Sequence, residues 1–494
     1  MFTLNFFIKR TMQVILLSVF SSILSTISLS VIANTSNRIK QSQVVIIGAG
    51  VAGLTAANRL YKEGVRDIVV LEARSRIGGR VWSFHPIKQL WRGRVLDLGA
   101  SYIHQSRGNP LKKIAVKAKI KTQVVDGDDY DLYHENGDSV TDDYEEKSYS
   151  LFQDFEAYLT RQQEEESDDS KRSVYDALRD FVKYKKVSKL YQPGLLFMVS
   201  SHLEYAHGAD SKNLSLIWFD NDKGFDGPDH FFPEGYSQLV NYIASPIKAK
   251  IKLNTVVTKI DYSNPTDIAV YSSSGEIYRG RYVICTLPIG VLRANRVHFI
   301  PQLPLNKLIA IHRHIGFSRY EKAYLLFPRV FWDSAFSIER ILNSKLRNGF
   351  WKNKMGWIDF TNFASVKKLP VIQATFAGDF VSAVHAKTKK EKVHSIMKAL
   401  ESIYGKRIPK PLDVIFTDWS DDQFSRGSFS YLRPGALAEN MDFSNMAQPV
   451  RGHLLFAGEG TSRYYFGTVH GAYLSGIRVA RYILNKHYKN HSGE

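Results

Sequence analysis

The clearest hydrophobic pattern in the chain is Val44-Val45-Ile46-Ile47, four apolar β-formers running straight into Gly48-Ala49-Gly50-Val51-Ala52-Gly53. Apolar residues then recur at helical spacing through Ala56, Ala57 and Leu60, and Gly64 closes that segment. A second apolar run, Val69-Val70-Leu71, ends at Glu72. The pattern predicts strand, tight turn, helix and parallel strand in succession. Gly48 suits the turn, Gly50 the close approach of a pyrophosphate, and Gly53 tight packing of helix on strand. The helix start offers N–H groups and a positive dipole end to phosphates. Glu72, at the end of the second strand, can accept hydrogen bonds from ribose hydroxyls. The constellation predicts a dinucleotide site without deciding between FAD and NAD.

Beyond this unit, helical periodicity marks Val174 to Val187, and Gly224 to Gly235 is rich in turn residues. Short β-type runs follow at Leu253 to Ile260, Ile268 to Tyr271 and Tyr282 to Ile284. Residues 307–400 alternate strands with helices, Leu454-Leu455-Phe456 enters Gly458-Glu459-Gly460, and a last helix covers about Gly471 to Asn485. The expected fold is α/β, a Rossmann-type nucleotide domain built from both chain ends with an inserted α+β substrate domain. The nucleotide parts are placed at 42–110, 236–300 and 416–486, the substrate parts at 111–235 and 301–415, with a tail at 487–494.

Composition adjusts this picture in a few places. A chain of 494 residues exceeds one ordinary core, so two packed domains are expected. The net charge of +18 comes without a basic run interleaved with aromatics, so no nucleic-acid partner is expected. Residues 126–170 are strongly acidic, including Asp128-Asp129 and Glu164-Glu165-Glu166, and read as solvated helix faces or loops. Lys9 and Arg10 precede an uncharged apolar stretch from Met12 to Ile32, and Val31-Ile32-Ala33 offers a cleavage site. Residues 1–33 therefore read as an export signal to the periplasm or exterior, leaving no stable membrane span once cleaved; anchoring by residues 12–32 is the alternative. The single cysteine, Cys285, excludes internal disulfides and cysteine-based metal sites, and no metal is expected.

Directly after Glu72, Ala73-Arg74-x-x-x-Gly78-Gly79-Arg80 resembles the flavin-containing amine oxidases, which include polyamine oxidases, monoamine oxidases, L-amino-acid oxidases and histone-demethylase relatives. The likeness continues through Leu98-Gly99-Ala100-Ser101-Tyr102-Ile103-His104, Leu253 to Ile260, Thr286-Leu287-Pro288 and Ile315 to Lys322. It extends to Asp418-Trp419-Ser420, Arg426 to Tyr431, Ala457 to Ser462 and Thr468 to Gly476. The last two segments are similar to polyamine oxidases and differ from monoamine oxidases.

The resemblance implies non-covalent FAD, because no cysteine follows the cage aromatic where monoamine oxidases attach theirs. It implies cofactor contacts at Gly48, Gly50, Gly53, Glu72, Arg74, Gly79, Arg80, Gly99, Val257, Trp419, Glu459, Thr468 and Val469. Lys322 matches the family's flavin-site lysine and is the expected catalytic residue. His104, Phe429, Tyr431 and Thr468 are the expected substrate contacts; a two-tyrosine cage is absent, since Phe429 and Thr468 take its positions. The implied reaction is oxidation of an amine C–N bond to an imine, with O2 reduced to hydrogen peroxide. The partners are then a small-molecule amine and O2. A polyamine-like substrate is favoured, although the sequence places no carboxylate in a tunnel beyond the guess of Glu204. An α-amino acid would need an arginine clamp, and Ser101-Tyr102 stand where many such enzymes carry one. A weakly active FAD scaffold docking an anionic partner is the further alternative.

Overall fold

The computed structural model describes residues 39–491, except 222, 344, 348–349, 353–355 and 438–440. The chain opens with β1 (Ile39–Ile47), α1 (Val51–Lys62) and β2 (Ile68–Leu71), with β2 parallel to β1. It then departs to β3 (Tyr130–His134) and α2 (Asp142–Glu165) before returning. The return lays down β4 (Ile251–Lys252), β5 (Val257–Asp261), β6 (Ile268–Ser272), β7 (Ile277–Cys285) and β8 (His298–Ile300). A second departure gives β9 (Tyr320–Leu326), β10 (Ser337–Ile341), β11 (Asp359–Asn362), β12 (Val371–Ala377) and β13 (Asp413–Phe416). The chain ends in β14 (Leu454–Phe456) and α3 (Val469–His491).

The strands of the first and third passages and β14 form one eight-stranded sheet in the order β8-β5-β6-β7-β1-β2-β4. On its outer side β7 pairs antiparallel with β6 near its start and parallel with β14 near its end. Both faces of β1 are covered, which is why it reads as an unbroken apolar run. Val44 and Ile46 pack with Leu54, Ala57 and Leu60 of α1 and with Val479, Ala480 and Ile483 of α3. Val45 and Ile47 face Val283, Cys285 and Phe456 on the other side. Gly476 lets α3 cross close to α1, since a Cβ there would collide with the carbonyl of Ala52.

The other large sheet has the order β13-β9-β12-β11-β10-β3. One of its faces carries Ala323, Leu325, Ile338, Phe360, Ile372, Ala374 and Phe376, which form a buried apolar core. The opposite face carries the polar partners of the same period-two alternation and walls the main cavity.

One sequence expectation shifts in detail. The run Leu253 to Ile260 is not one strand: Asn254 adopts φ +55°, so the chain turns between β4 and β5. The acidic stretch 126–170 is the solvated loop and helix face expected of it, with Asp126, Asp128, Asp142, Asp143, Glu164 and Glu165 exposed. Much of it is α2, capped by the Thr141 side chain, with Asp142, Asp143 and Glu145 in its first turn where the helix dipole favours acids.

Candidate active site

A cavity of about 1480 Å³ runs between the two sheets. That exceeds the roughly 300–1,000 Å³ of an ordinary ligand pocket and leaves room for a dinucleotide together with a substrate. One end is lined by Gly48, Gly50, Val51, Glu72, Arg74 and Val257. Gly48 has φ +102°, and a Cβ there would collide with the Thr286 hydroxyl. A Cβ on Gly50 would meet nothing within 4 Å, so its backbone borders open space. Gly53 does not line the cavity; it lets α1 press against the Gly48 carbonyl, as the third glycine of such a turn should. The start of α1 has no side-chain cap and no acid in its first turn, so its N–H groups remain for an anion.

Glu72 is buried and accepts hydrogen bonds from the backbone N–H of Ala49 at 2.7 Å and of Arg74 at 2.8 Å. Burial raises its pKa against the pull of these donors. The carboxylate keeps further lone pairs for ribose hydroxyls. Gly79 brings its loop onto the glycine turn, with an added Cβ only 3.3 Å from the Gly50 Cα.

Arg74 lines the cavity, but its guanidinium is gripped by Asp422. Arg80 donates to the carbonyl of Ser428 at 2.7 Å and to Glu459 at 2.9 Å. Glu459 also accepts from the Ser430 hydroxyl at 3.1 Å and the Gly467 N–H at 2.9 Å. Its carboxylate thus holds Arg80 against the turn that precedes α3. Thr468 and Val469 open α3 on the cavity wall, with the Thr468 hydroxyl accepting from Gly471 N–H at 2.9 Å. Val257, buried, opens β5 on the same wall.

The other end is organised by Lys322. Its ammonium donates to the Gly99 carbonyl at 2.7 Å, the Ser101 hydroxyl at 2.7 Å and the Asp97 carbonyl at 3.3 Å. Gly99 has no room for a side chain, because a Cβ would collide with the Arg80 carbonyl. Burial pulls Lys322 down to about 8, against the attraction of Asp97 and Asp359. In the sequence Glu321-Lys322 looks like a surface pair; both residues are in fact buried. Glu321 accepts from Thr417 Oγ1 at 2.5 Å and from the Ser420 N–H and hydroxyl at 2.8 and 2.9 Å, fixing the segment that carries Trp419. Trp419 in turn donates from its indole to the Leu98 carbonyl at 2.7 Å.

Sequence reasoning missed the acids of this chamber. Lys322 is paired in register with Thr375, Thr375 with Asp359, and Asp359 with Glu339. The four form one row across β9, β12, β11 and β10, and all four line the cavity. Burial pushes Asp359 up to about 6 and Glu339 up to about 8, the latter helped by repulsion from Asp359. The signal was the alternation of Gln373 and Thr375 with apolar residues in β12, of Asp359 and Thr361 in β11, and of Ser337 and Glu339 in β10. Glu204 is elsewhere: it accepts from the Ser200 hydroxyl at 2.8 Å and the Ser211 N–H at 2.7 Å and does not line the cavity.

Phe429 lines the chamber with its ring 5.9 Å from that of Tyr320, which lies 6.1 Å from Tyr205. These two tyrosines were not singled out from the sequence. Tyr431 is not brought to the cavity; its ring covers Gly316, the residue it pairs with across the Ile315–Phe317 and Ser430–Leu432 strands. The second strand begins only after Phe429, so the expected period-two relation between Phe429 and Tyr431 fails. His104 lines the outer cavity, with Nδ1 2.5 Å from Asp229 and the side chain largely exposed.

The residues present fit FAD: a glycine cradle, an uncapped helix start and a buried carboxylate able to accept from ribose hydroxyls at one end, and a buried cation at the other. Cys285 is buried in β7 outside the cavity, its thiol pushed up to about 12 by burial, and cannot bond a flavin. Among the described residues the one group with metal-like spacing, His385 with Asp418 and Asp421, lies outside the cavity.

The sequence pattern of the family described as flavin containing amine oxidoreductase matches residues 51–484. The chain is 32% identical over 456 residues to lysine-specific histone demethylase 1 homolog 3 of Oryza sativa subsp. indica, covering 90% of this chain and 54% of that protein. It is 33% identical over 459 residues to protein FLOWERING LOCUS D of Arabidopsis thaliana, covering 89% and 55%. It is 30% identical over 457 residues to lysine-specific histone demethylase 2 of Homo sapiens, covering 89% and 53%. The chain spans about half the length of the curated relatives it matches. Among solved structures it resembles a putrescine oxidase double mutant with redesigned cofactor binding, with a TM-score of 0.69 at 17% identity, covering 90% of this chain and all of that one.

These relatives correct the expectation of export and its membrane-anchored alternative. Several are named for demethylating histone, an intracellular protein, which is at odds with a chain sent outside the cell. Residues 1–38, on which both expectations rested, lie outside the described residues. Among the described residues no helix is long and apolar enough to cross a membrane. With the family pattern spanning both ends of the cavity, the chain belongs to the flavin-containing amine oxidoreductases.

Proposed function

We propose that this protein oxidises a C–N bond of a cationic, polyamine-like amine to an imine, with O2 as acceptor and hydrogen peroxide as product. The observation that carries the reading is that Lys322, Asp359 and Glu339 face the same cavity as the nucleotide cradle. Tyr205, Tyr320 and Phe429 attract an arriving ammonium by their ring faces and keep water from the reacting carbon. Lys322, tied to Gly99 and Ser101, holds a positive charge where reduction builds negative charge. Bound FAD supplies the two-electron acceptor. Asp359, on the cavity wall and charged above about pH 6, stabilises a cation and repels the carboxylate of an amino acid. Arg74 and Arg80, which line the cavity, are both engaged by acids, so neither is free to act as an amino-acid clamp.

The histone-demethylase relatives support a second reading, a methylated lysine on a peptide. Anaerobic mixing of the flavin-loaded protein with polyamines, monoamines, L-amino acids and methyl-lysine peptides tests both. Rapid bleaching by polyamines supports the first reading, and bleaching by the peptides alone supports the second. A flavin that no amine bleaches favours the scaffold alternative.

A further inference from the structure

The Ser83–Phe84 and Leu96–Asp97 strands pair antiparallel, and the loop joining them carries apolar side chains that the fold leaves in solvent. Ile87 is 99% exposed, the most of any large apolar side chain among the described residues, and Leu90 is 46% exposed. The loop is braced from below. Trp91 is wholly buried in one core cluster with Leu96, Leu98 and Tyr324, and its indole donates to Asp413 at 2.8 Å. The same carboxylate accepts from Lys88 at 2.8 Å and lies 3.9 Å from the Lys389 ammonium. Leu412, 50% exposed, directly precedes Asp413.

Asp413 thus gathers onto one surface the loop tip, Leu412 and the start of the Lys389–Tyr404 helix. Lys88, Arg92, Lys389 and Lys410 are exposed around it, while the Asp413 side chain among them is only 11% exposed. Glu391, the acid in the first turn of that helix, is taken up in its capping box with Thr388. The result is a protruding apolar tip ringed by cations. A folded protein partner would need a pocket shaped to Ile87, and a nucleic acid offers nothing apolar to receive it. An anionic bilayer offers both requirements together, negative headgroups at its surface and an apolar layer just beneath them.

We propose that the Ile87–Leu90 tip, with Lys88, Arg92, Lys389 and Lys410 around it, docks this protein reversibly on an anionic bilayer surface. Ile87 and Leu90 pass below the headgroups while the four cations stay level with them. The net charge of +18 draws the protein towards such a surface from a distance, and the tip decides which face meets it. This is contact with a surface and not a span, and it uses no residue before Ile87. It is independent of which amine the cavity takes.

The test is co-sedimentation of the flavin-loaded full chain with vesicles of phosphatidylcholine alone and of phosphatidylcholine with about 30% phosphatidylserine. The wild type is expected to partition at least about 10-fold more strongly onto the serine-containing vesicles, and to be released several-fold as salt rises from about 50 to about 300 mM. Ile87→Asp should weaken that partitioning by about 10-fold or more, since the tip then carries a charge into the headgroups. The R92Q/K389Q variant should show a similar loss and little remaining salt dependence. Retained flavin colour in both variants reports an intact fold. Equal sedimentation on the two kinds of vesicle, unmoved by either variant, overturns the proposal and assigns the binding to another part of the chain. No sedimentation on either vesicle overturns it as well. Binding to poly-glutamate that depends on Ile87, with vesicles ignored, overturns the lipid surface in favour of an acidic protein partner.

Discussion

Arg74 and Asp422 lie 348 residues apart in the chain and meet in a two-pronged ion pair, Nη1 at 2.7 Å and Nη2 at 2.5 Å from the two carboxylate oxygens. Arg74 follows Glu72 at the end of β2, and Asp422 follows Trp419, so the pair latches the first strands of the eight-stranded sheet to the segment after β13. Trp419 and Phe424 flank the guanidinium at 5.9 and 5.5 Å. Asp422→Asn is expected to weaken FAD retention by about 10-fold or more, since a charge-assisted hydrogen bond contributes about 1.5–3 kcal/mol. Arg74→Lys keeps the charge but loses the fork and should show a similar loss. Release of flavin fluorescence on dilution measures both.

Glu72→Ala removes the acceptor for the Ala49 and Arg74 N–H groups as well as the ribose contact proposed for it. The expected outcome is protein that loses its yellow colour on gel filtration. Retained colour would place the ribose elsewhere.

Glu321 is a positioning residue, buried on the face of β9 away from Lys322 and gripping Thr417 and Ser420. Glu321→Gln keeps the shape but loses an acceptor for one of these donors. It should shift Trp419, visible as changed quenching of tryptophan fluorescence by the bound flavin, and slow anaerobic reduction. A change in stability alone, with quenching unmoved, would reduce Glu321 to a core residue.

Under the proposed function, the acids on the cavity wall make binding of a cationic amine depend on pH. Asp359 titrates at about 6, so its charge, and with it affinity for a cationic amine, is gained as pH rises through 6 and lost below it. Glu339 adds charge as pH rises through about 8, while Lys322 loses its own charge over the same interval. The kcat/KM for a polyamine should therefore climb from about pH 5 to about pH 7, and Asp359→Asn should flatten that limb.

The nucleotide half was legible because a parallel strand buried on both faces leaves an unbroken apolar run, and the turn glycines and Glu72 follow it at fixed spacing. Lys322 was legible only by family likeness, because nothing local distinguishes a buried Glu321-Lys322 from an exposed pair. Asp359 and Glu339 were not found because they share a face only once β9 to β12 are paired, and register between distant strands is not written in any one segment. Tyr431 was misplaced for the converse reason, since a local alternation was trusted where a strand had not yet begun. The roles of Arg74 and Glu459 also depend on partners hundreds of residues away.

The central claim, that this chain uses Lys322 beside an FAD cradle to oxidise amines, is tested most directly by stopped-flow anaerobic mixing of wild type and Lys322→Met with a polyamine. The account predicts that the wild-type flavin bleaches rapidly, and that the variant keeps its FAD but is reduced or reoxidised slower by orders of magnitude. Equal rates in the two proteins, or a wild-type flavin that no amine bleaches, would contradict it.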